Sequence, residues 1–356
     1  MPETLTLPGL LVETELMQIS GYWRSVVSVA GIVGLAFLMA AGPASDVKPG
    51  TPLKRLGDEI VVCGQLFHTG TPVVLWTDPG GYDAYRIDKR FGPLDEAGWE
   101  ATKKAGKVRS PNRYGTRTRG LSPAMLEKVR GGGWELGDLQ KVVDQFVIHF
   151  DARGTSKKCF EVLHDMRGLS VHFMLDLDGT LYQTLDLKES AWHATISNNR
   201  SIGIEIANIG AFPSQGKNPL DAWYAKGPDG KTVLTLPGPA AKEGLRNHSV
   251  ALGPARNEPI VGEVQGQSLI QYDLTAQQYE TLARLTATLC TIFPKIKCDY
   301  PRDSAGTLIT RKLPEPDFAA YQGLLGHYHV QTNKVDPGPA FQWDRLIKEA
   351  KDQMTR

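Results

Sequence analysis

The sequence is poor in cysteine. Cys63, Cys159, Cys290 and Cys298 are the only four in 356 residues. So few exclude a disulfide scaffold at this length, and no CxxC pair offers a zinc ribbon or a redox motif. Cys290 and Cys298 are close enough in sequence to bridge. Cys290 also falls on the apolar stripe of an expected helix, so a buried thiol fits equally well. Charge of one sign is missing too. The 40 basic and 39 acidic residues leave a net charge of +1, with no basic cluster interleaved with aromatics. That argues against a nucleic-acid partner. There is no GxSxG, and no cysteine in a nucleophile context, so a serine or cysteine hydrolase lacks support.

A long apolar run is also absent. The longest, from Val26 to Ala41, falls short of the roughly 20 residues of a membrane-spanning helix. Small residues, Pro43 and Ala44 follow it, which suits signal-peptide cleavage. Residues 1–16 carry Glu3, Glu13 and Glu15 and no basic residue, the wrong charge for a leader. A start at Met17 supplies Arg24 instead. The expectation is a product exported to the periplasm or beyond, with an uncleaved membrane anchor facing the periplasm as the alternative. No cysteine follows the run, which disfavours a lipoprotein.

Residues 45–138 read as a linker and an N-terminal extension. Within it, residues 57–80 suggest two strands joined at His68–Pro72. From residue 139 the pattern sharpens. QFVIHF (145–150) suits a buried strand. Thr155 or Ser156 can cap a helix striped by Cys159, Phe160, Val162, Leu163 and Met166 and stopped at Gly168. VHFMLD and TLYQT flank an Asp178-Gly179 hairpin turn. SIGIEIANI (201–209) alternates like a strand. Residues 213–270, rich in Gly and Pro, read as a long irregular insertion. Thr275 and Gln278 form a capping box for a helix with Tyr279, Leu282, Ala283, Leu285 and Leu289 inside. YQGLLGHYHV reads as a strand, and a helix closes the chain.

His149 and His327 each end or interrupt an apolar strand. Asp336 precedes Pro337, which biases it to an extended backbone, so Lys334 and Asp336 would face one pocket. A catalytic zinc needs three such ligands and one open position. Zinc brings the pKa of bound water to about 7. Glu205 could accept that proton, and Lys334 could stabilise an oxyanion. On spacing alone, a packed histidine and an ordinary polar loop fit as well. His172, flanked by strand residues, reads as a hydrogen-bonded core histidine; for His68, His164 and His248 surface or structural roles are expected.

The pieces VIHF (147–150), SVHFMLDLDGTLYQ (170–183), AWHA (191–194), SIGIEIAN (201–208) and GH followed by KVDPGPAFQW resemble, in order, the type-2 N-acetylmuramoyl-L-alanine amidases. The resemblance implies an α/β fold with a central mixed β-sheet flanked by helices, spanning 139–356 with the 213–270 insertion. It implies zinc bound by His149, His327 and Asp336, with Glu205 and Lys334 catalytic. It implies a peptidoglycan or muropeptide substrate, cut between N-acetylmuramic acid and L-alanine. His193 and Trp192, in AWHA, are expected to bind substrate, or for His193 to support a ligand. The family often has Asp where this chain has His329. His329 could then replace His327, but His327 directly follows Gly326, as the family pattern does. A non-catalytic peptidoglycan-binding module is the alternative reading. Such members typically lack a zinc ligand, and this chain keeps all three candidates.

Overall fold

QFVIHF forms strand β5 (Gln145–Phe150), buried at every position but the last. A strand apolar on both faces needs cover on both, which is the situation inside a parallel sheet. The computed structural model describes residues 48–238, 244–247 and 252–355. The apolar run 26–41, the Met17 start, the cleavage position and His248 lie outside them. The chain divides into two units, Met1–Leu53 and Lys54–Arg356. Of the first, only residues 48–53 are described, an exposed turn.

The second unit is built on a six-stranded mixed sheet. Its order is β15 (Gly323–Gly326), β5, β9 (Ser201–Ile206), β6 (Phe173–Leu175), β7 (Leu181–Gln183) and β3 (Val73–Leu75). β15, β5, β9 and β6 run parallel, so their carboxyl ends share one edge; β7 is antiparallel to β6. The β6–β7 hairpin turns at Gly179, at φ 84°, as the Asp-Gly pair predicts. Thr155 caps helix α1 (Ser156–Phe160), accepting from the Lys158 N–H at 3.3 Å. A π-helical segment, Glu161–Arg167, continues it to a left-handed Gly168. The wider π turn carries Met166 off the expected stripe, leaving it 49% exposed. The capping box at Thr275 and Gln278 opens α2 (Ala276–Ile292), whose five expected core residues are all buried. Helix α3 (Trp343–Met354) packs against it. Among the described residues, no helix is long and apolar enough to cross a membrane.

Four expectations need correction. The 57–80 hairpin turns at Cys63-Gly64, joining β1 (Glu59–Val62) to β2 (Gln65–His68). Both turn residues have positive φ, and the Asp186 carboxylate accepts their N–H groups at 2.8 and 2.7 Å. His68–Pro72 instead leads to β3, which pairs with β7 inside the central sheet. The extension is therefore part of the same unit rather than a piece outside it. The 213–270 stretch is not irregular throughout. It holds the hairpin of Tyr224–Lys226 and Thr232–Leu234, and Ile260–Val264 pairs with Gln267–Gln271 beside Phe212–Pro213. The YQGLLGHYHV strand stops at Gly326, and His327–Val330 is a single helical turn. Cys290 and Cys298 are free thiols.

Candidate metal centre

The parallel register sets up the site. His149 on β5 pairs directly with Glu205 on β9, and Gly326, just before His327, pairs with Ile148. Three chemistry-bearing residues far apart in sequence thus arrive at the carboxyl edge of one sheet, where open α/β sheets bind ligands. His327 turns in because Gly326 leaves room: a Cβ there would sit 2.7 Å from Pro337 Cδ. Asp336 closes the group from the following loop. The Tyr328 N–H donates to the Asp336 carbonyl at 3.2 Å and fixes that loop.

His149 Nδ1 lies 2.9 Å from His327 Nδ1 and 2.9 Å from Asp336 Oδ2, and His327 Nδ1 lies 3.0 Å from the same oxygen. All three residues are buried. The outer ring nitrogens decide what faces inward. His327 Nε2 is 2.7 Å from Gln331 Oε1, an acceptor, so Nε2 carries the proton and Nδ1 is bare. His149 Nε2 is 2.9 Å from His193 Nδ1, and His193 Nε2 is 3.2 Å from Ser201 Oγ. Burial, and then His327 beside it, push His149 down to about 4, keeping the ring neutral. Burial works against ionisation of Asp336, but the two imidazoles hold it well below the usual carboxylate range. Two bare imidazole nitrogens and a carboxylate oxygen at 3 Å repel one another unless a cation or proton lies between them. A divalent ion satisfies all three, and the N,N,O donor set suits zinc with an open position.

The centre opens into a cavity of about 210 Å³, lined among others by Trp192, His193, Glu205, Lys334 and Asp336. Burial, and next the charge of Asp336, raise the Glu205 carboxyl well above its ordinary value, as befits a group that must hold and release a proton. Lys334 is half-buried in the same wall.

His193 borders the cavity and also hydrogen-bonds the candidate ligand His149, so its main contact is with that ring rather than with open space. Gly203 is needed for this, since a Cβ there would lie 2.5 Å from the His193 ring. His329 points elsewhere. Its Nδ1 accepts from the Gly326 N–H at 2.9 Å, and its Nε2 meets the Ile309 carbonyl at 2.6 Å. It caps the turn that carries His327, work an aspartate at that position can also do, which accounts for the departure from the family pattern. His172 is the expected core histidine. Its Nδ1 accepts from the Gly203 N–H at 3.1 Å and its Nε2 donates to the Glu189 carbonyl at 3.0 Å. His164 is buried against Phe160, and His68 is exposed beside Asp58. Gln331 and Ser201 were not singled out from sequence. The one available signal was the i, i+4 spacing of His327 and Gln331.

The sequence profile of the N-acetylmuramoyl-L-alanine amidases matches residues 139–236. No curated protein sequence gives a significant match. Several solved structures are similar. A selenomethionine derivative of AmpD is 17% identical, with TM-score 0.30, over 68% of this chain and 94% of that one. The Escherichia coli N-acetylmuramyl-L-alanine amidase AmiD, in complex with the substrate anhydro-N-acetylmuramic acid-L-Ala-D-γ-Glu-L-Lys, is 16% identical, with TM-score 0.31, over 58% and 57%. Staphylococcus aureus hydrolase AmiA, in complex with its ligand, is 10% identical, with TM-score 0.30, over 68% and 95%.

Proposed function

From the match of residues 139–236 to the N-acetylmuramoyl-L-alanine amidases, we propose that this chain is a zinc-dependent amidase of that type-2 family. It cuts the amide between the lactyl group of N-acetylmuramic acid and the L-alanine that begins the stem peptide. The observation that carries the zinc reading is the convergence of two bare imidazole nitrogens and a carboxylate oxygen within 3.0 Å of one another, beside Glu205. His149, His327 and Asp336 hold the metal, and zinc when bound supplies Lewis acidity and makes hydroxide available near neutral pH. Glu205 takes the proton of the attacking water and returns it to the departing alanine amine. Lys334 faces the charge that develops on the carbonyl oxygen. Trp192 lines the same cavity. A substrate of the kind bound by AmiD, with γ-linked glutamate after alanine, suits this reading. Export through residues 17–44 would bring the enzyme to wall or periplasmic fragments.

The test is mass spectrometry of purified peptidoglycan and of muramoyl peptides after incubation with the zinc-loaded protein. Free peptides beginning with L-alanine, and glycan stripped of peptide, are expected, and a chelator should abolish both. Intact material from protein of verified zinc content would overturn the reading in favour of binding without cleavage.

A further inference from the structure

The last turn of α2 carries Cys290, and the chain then doubles back on itself. The Phe293 N–H donates to the Leu289 carbonyl at 2.8 Å and the Ile296 N–H to the Phe293 carbonyl at 2.8 Å, and both side chains are buried. This reversal returns Cys298 to the helix the chain has just left. Cys290 is buried, Cys298 is half-buried, and the Cys290 thiol hydrogen-bonds Cys298. The Cys298 thiol donates in turn to the Ile347 carbonyl of α3 at 4.0 Å, so the pair lies between α2 and α3. The backbone beside Cys298 supports β15. The Asp299 carbonyl accepts from the Leu324 N–H at 2.9 Å and from the Tyr321 hydroxyl at 3.0 Å. Gly323 permits the close approach, because a Cβ there would lie 2.9 Å from the Lys297 carbonyl oxygen. β15 is only four residues long; it ends at Gly326, and the candidate ligand His327 follows.

From this arrangement we infer that Cys290 and Cys298 are a redox-sensitive pair: oxidised to a disulfide, they clamp the 297–299 loop to α2 and so steady β15 and the turn that carries His327. A buried cysteine can serve simply as a small apolar side chain. Cys63 and Cys159 fit that role, having no thiol partner among the described residues, whereas these two have each other. The oxidant is the disulfide of a second molecule, such as oxidised glutathione. Cys298, the more exposed of the two, reacts first. The hydrogen bond from Cys290 holds its thiol below the ordinary range, while the same bond and then burial push Cys290 up. The Cys298 thiolate attacks one sulfur of the external disulfide, whose S–S bond breaks and releases one thiol. Cys290 gives up its proton and attacks the Cys298 sulfur, which forms the internal bond and releases the second thiol. Two protein thiols are oxidised and one external disulfide is reduced to two thiols. An oxidising compartment keeps such a bond closed and a reducing one opens it.

The test compares the full chain in reduced form with the same chain treated with oxidised glutathione, each alkylated and mapped by mass spectrometry. A cross-link between Cys290 and Cys298 is expected, lighter by two hydrogens than the thiol pair, and dithiothreitol should reverse it. The cross-linked protein should melt about 5 °C higher. Amide hydrogen exchange in the peptide spanning 323–330 should slow about tenfold. Cys298→Ser, a change at a half-buried position, should match the reduced wild type in both readouts and show no response to the oxidant. Alkylation of both thiols after oxidation would overturn the pair. A cross-link that leaves exchange at 323–330 unchanged would overturn the clamp. An equal response of Cys298→Ser to the oxidant would assign the effect to Cys63 or Cys159 and overturn the proposal as well. None of these readouts needs turnover or zinc, so their failure is distinct from failure of the amidase reading.

Discussion

Nε2 of His149 lies 2.9 Å from Nδ1 of His193, with the two rings nearly perpendicular at 88°. His193 in turn reaches Ser201 Oγ at 3.2 Å. The chain of contacts runs from a proposed metal ligand through a second imidazole to a strand hydroxyl. It holds His149 in the tautomer whose Nδ1 lone pair faces His327 Nδ1 and Asp336 Oδ2. Losing such a support typically costs 10–100-fold in metal affinity. His193→Ala should therefore weaken zinc binding by about that factor, read by competition with a chromogenic chelator. Gly203→Ala should do the same, because its methyl would displace the His193 ring. Zinc affinity equal to wild type in both would remove His193 from this role.

Gln331 serves the other histidine. Its Oε1 sits 2.7 Å from His327 Nε2 and leaves that ring only one way to carry its proton. Gln331→Ala should cost about tenfold in zinc affinity, while Gln331→Glu, which keeps an acceptor at that place, should retain it. Loss in both variants alike would point to a disturbed turn rather than a lost hydrogen bond. Circular dichroism of the apo proteins separates those outcomes.

Glu205 is registered beside His149 and half-buried in the cavity wall. Glu205→Gln preserves its shape and removes its basicity. It should keep stoichiometric zinc by atomic absorption and lose about 100-fold or more in turnover. Turnover near the wild-type rate would take Glu205 out of the mechanism.

The parts of this site legible in the sequence are those whose chemistry is local. β5 and β9 announce themselves by apolar runs, α2 by its capping box, and the β6–β7 turn by Asp-Gly. His149 and His327 stand out because each ends or interrupts such a pattern; the roles of Glu205 and Asp336 are specified only by the family resemblance. What stayed hidden depends on partners far away in the chain. Cys63-Gly64 takes the hairpin turn because Asp186, more than a hundred residues on, binds both N–H groups. β3 is short and gains its place only by pairing with β7. His329 resembles a ligand by type and position, and only the Gly326 N–H and the Ile309 carbonyl reveal its other use. For His193, substrate contact and ligand support fit the sequence equally until the ring of His149 is seen beside it.

A buried carboxyl outside the metal centre offers a test of the domain's pH response. Asp176 directly follows β6 and is fully buried; its Oδ1 accepts from the Leu177 N–H at 2.9 Å, while Oδ2 has no hydrogen-bond partner. Burial lifts its pKa to about 8, against the pull of the Leu177 and Ser156 N–H groups and with help from Asp178 and Asp151. A free aspartate titrates near 3.9. Between about pH 4 and pH 8 the folded protein thus holds a proton that the unfolded chain has released. Stability from this group is complete below about pH 4 and declines as pH rises through that window. Asp176→Asn removes the titration and keeps the shape. Any fixed cost of burying the amide is the same at every pH, so the slope carries the test. The difference in unfolding free energy between variant and wild type should move in favour of the variant from pH 5 to pH 8.5, by about 1 kcal/mol or more. Groups common to both proteins cancel in that difference. Parallel stability curves across the range would mean that Asp176 ionises in the fold with an ordinary pKa, and that its unpartnered oxygen is met by solvent.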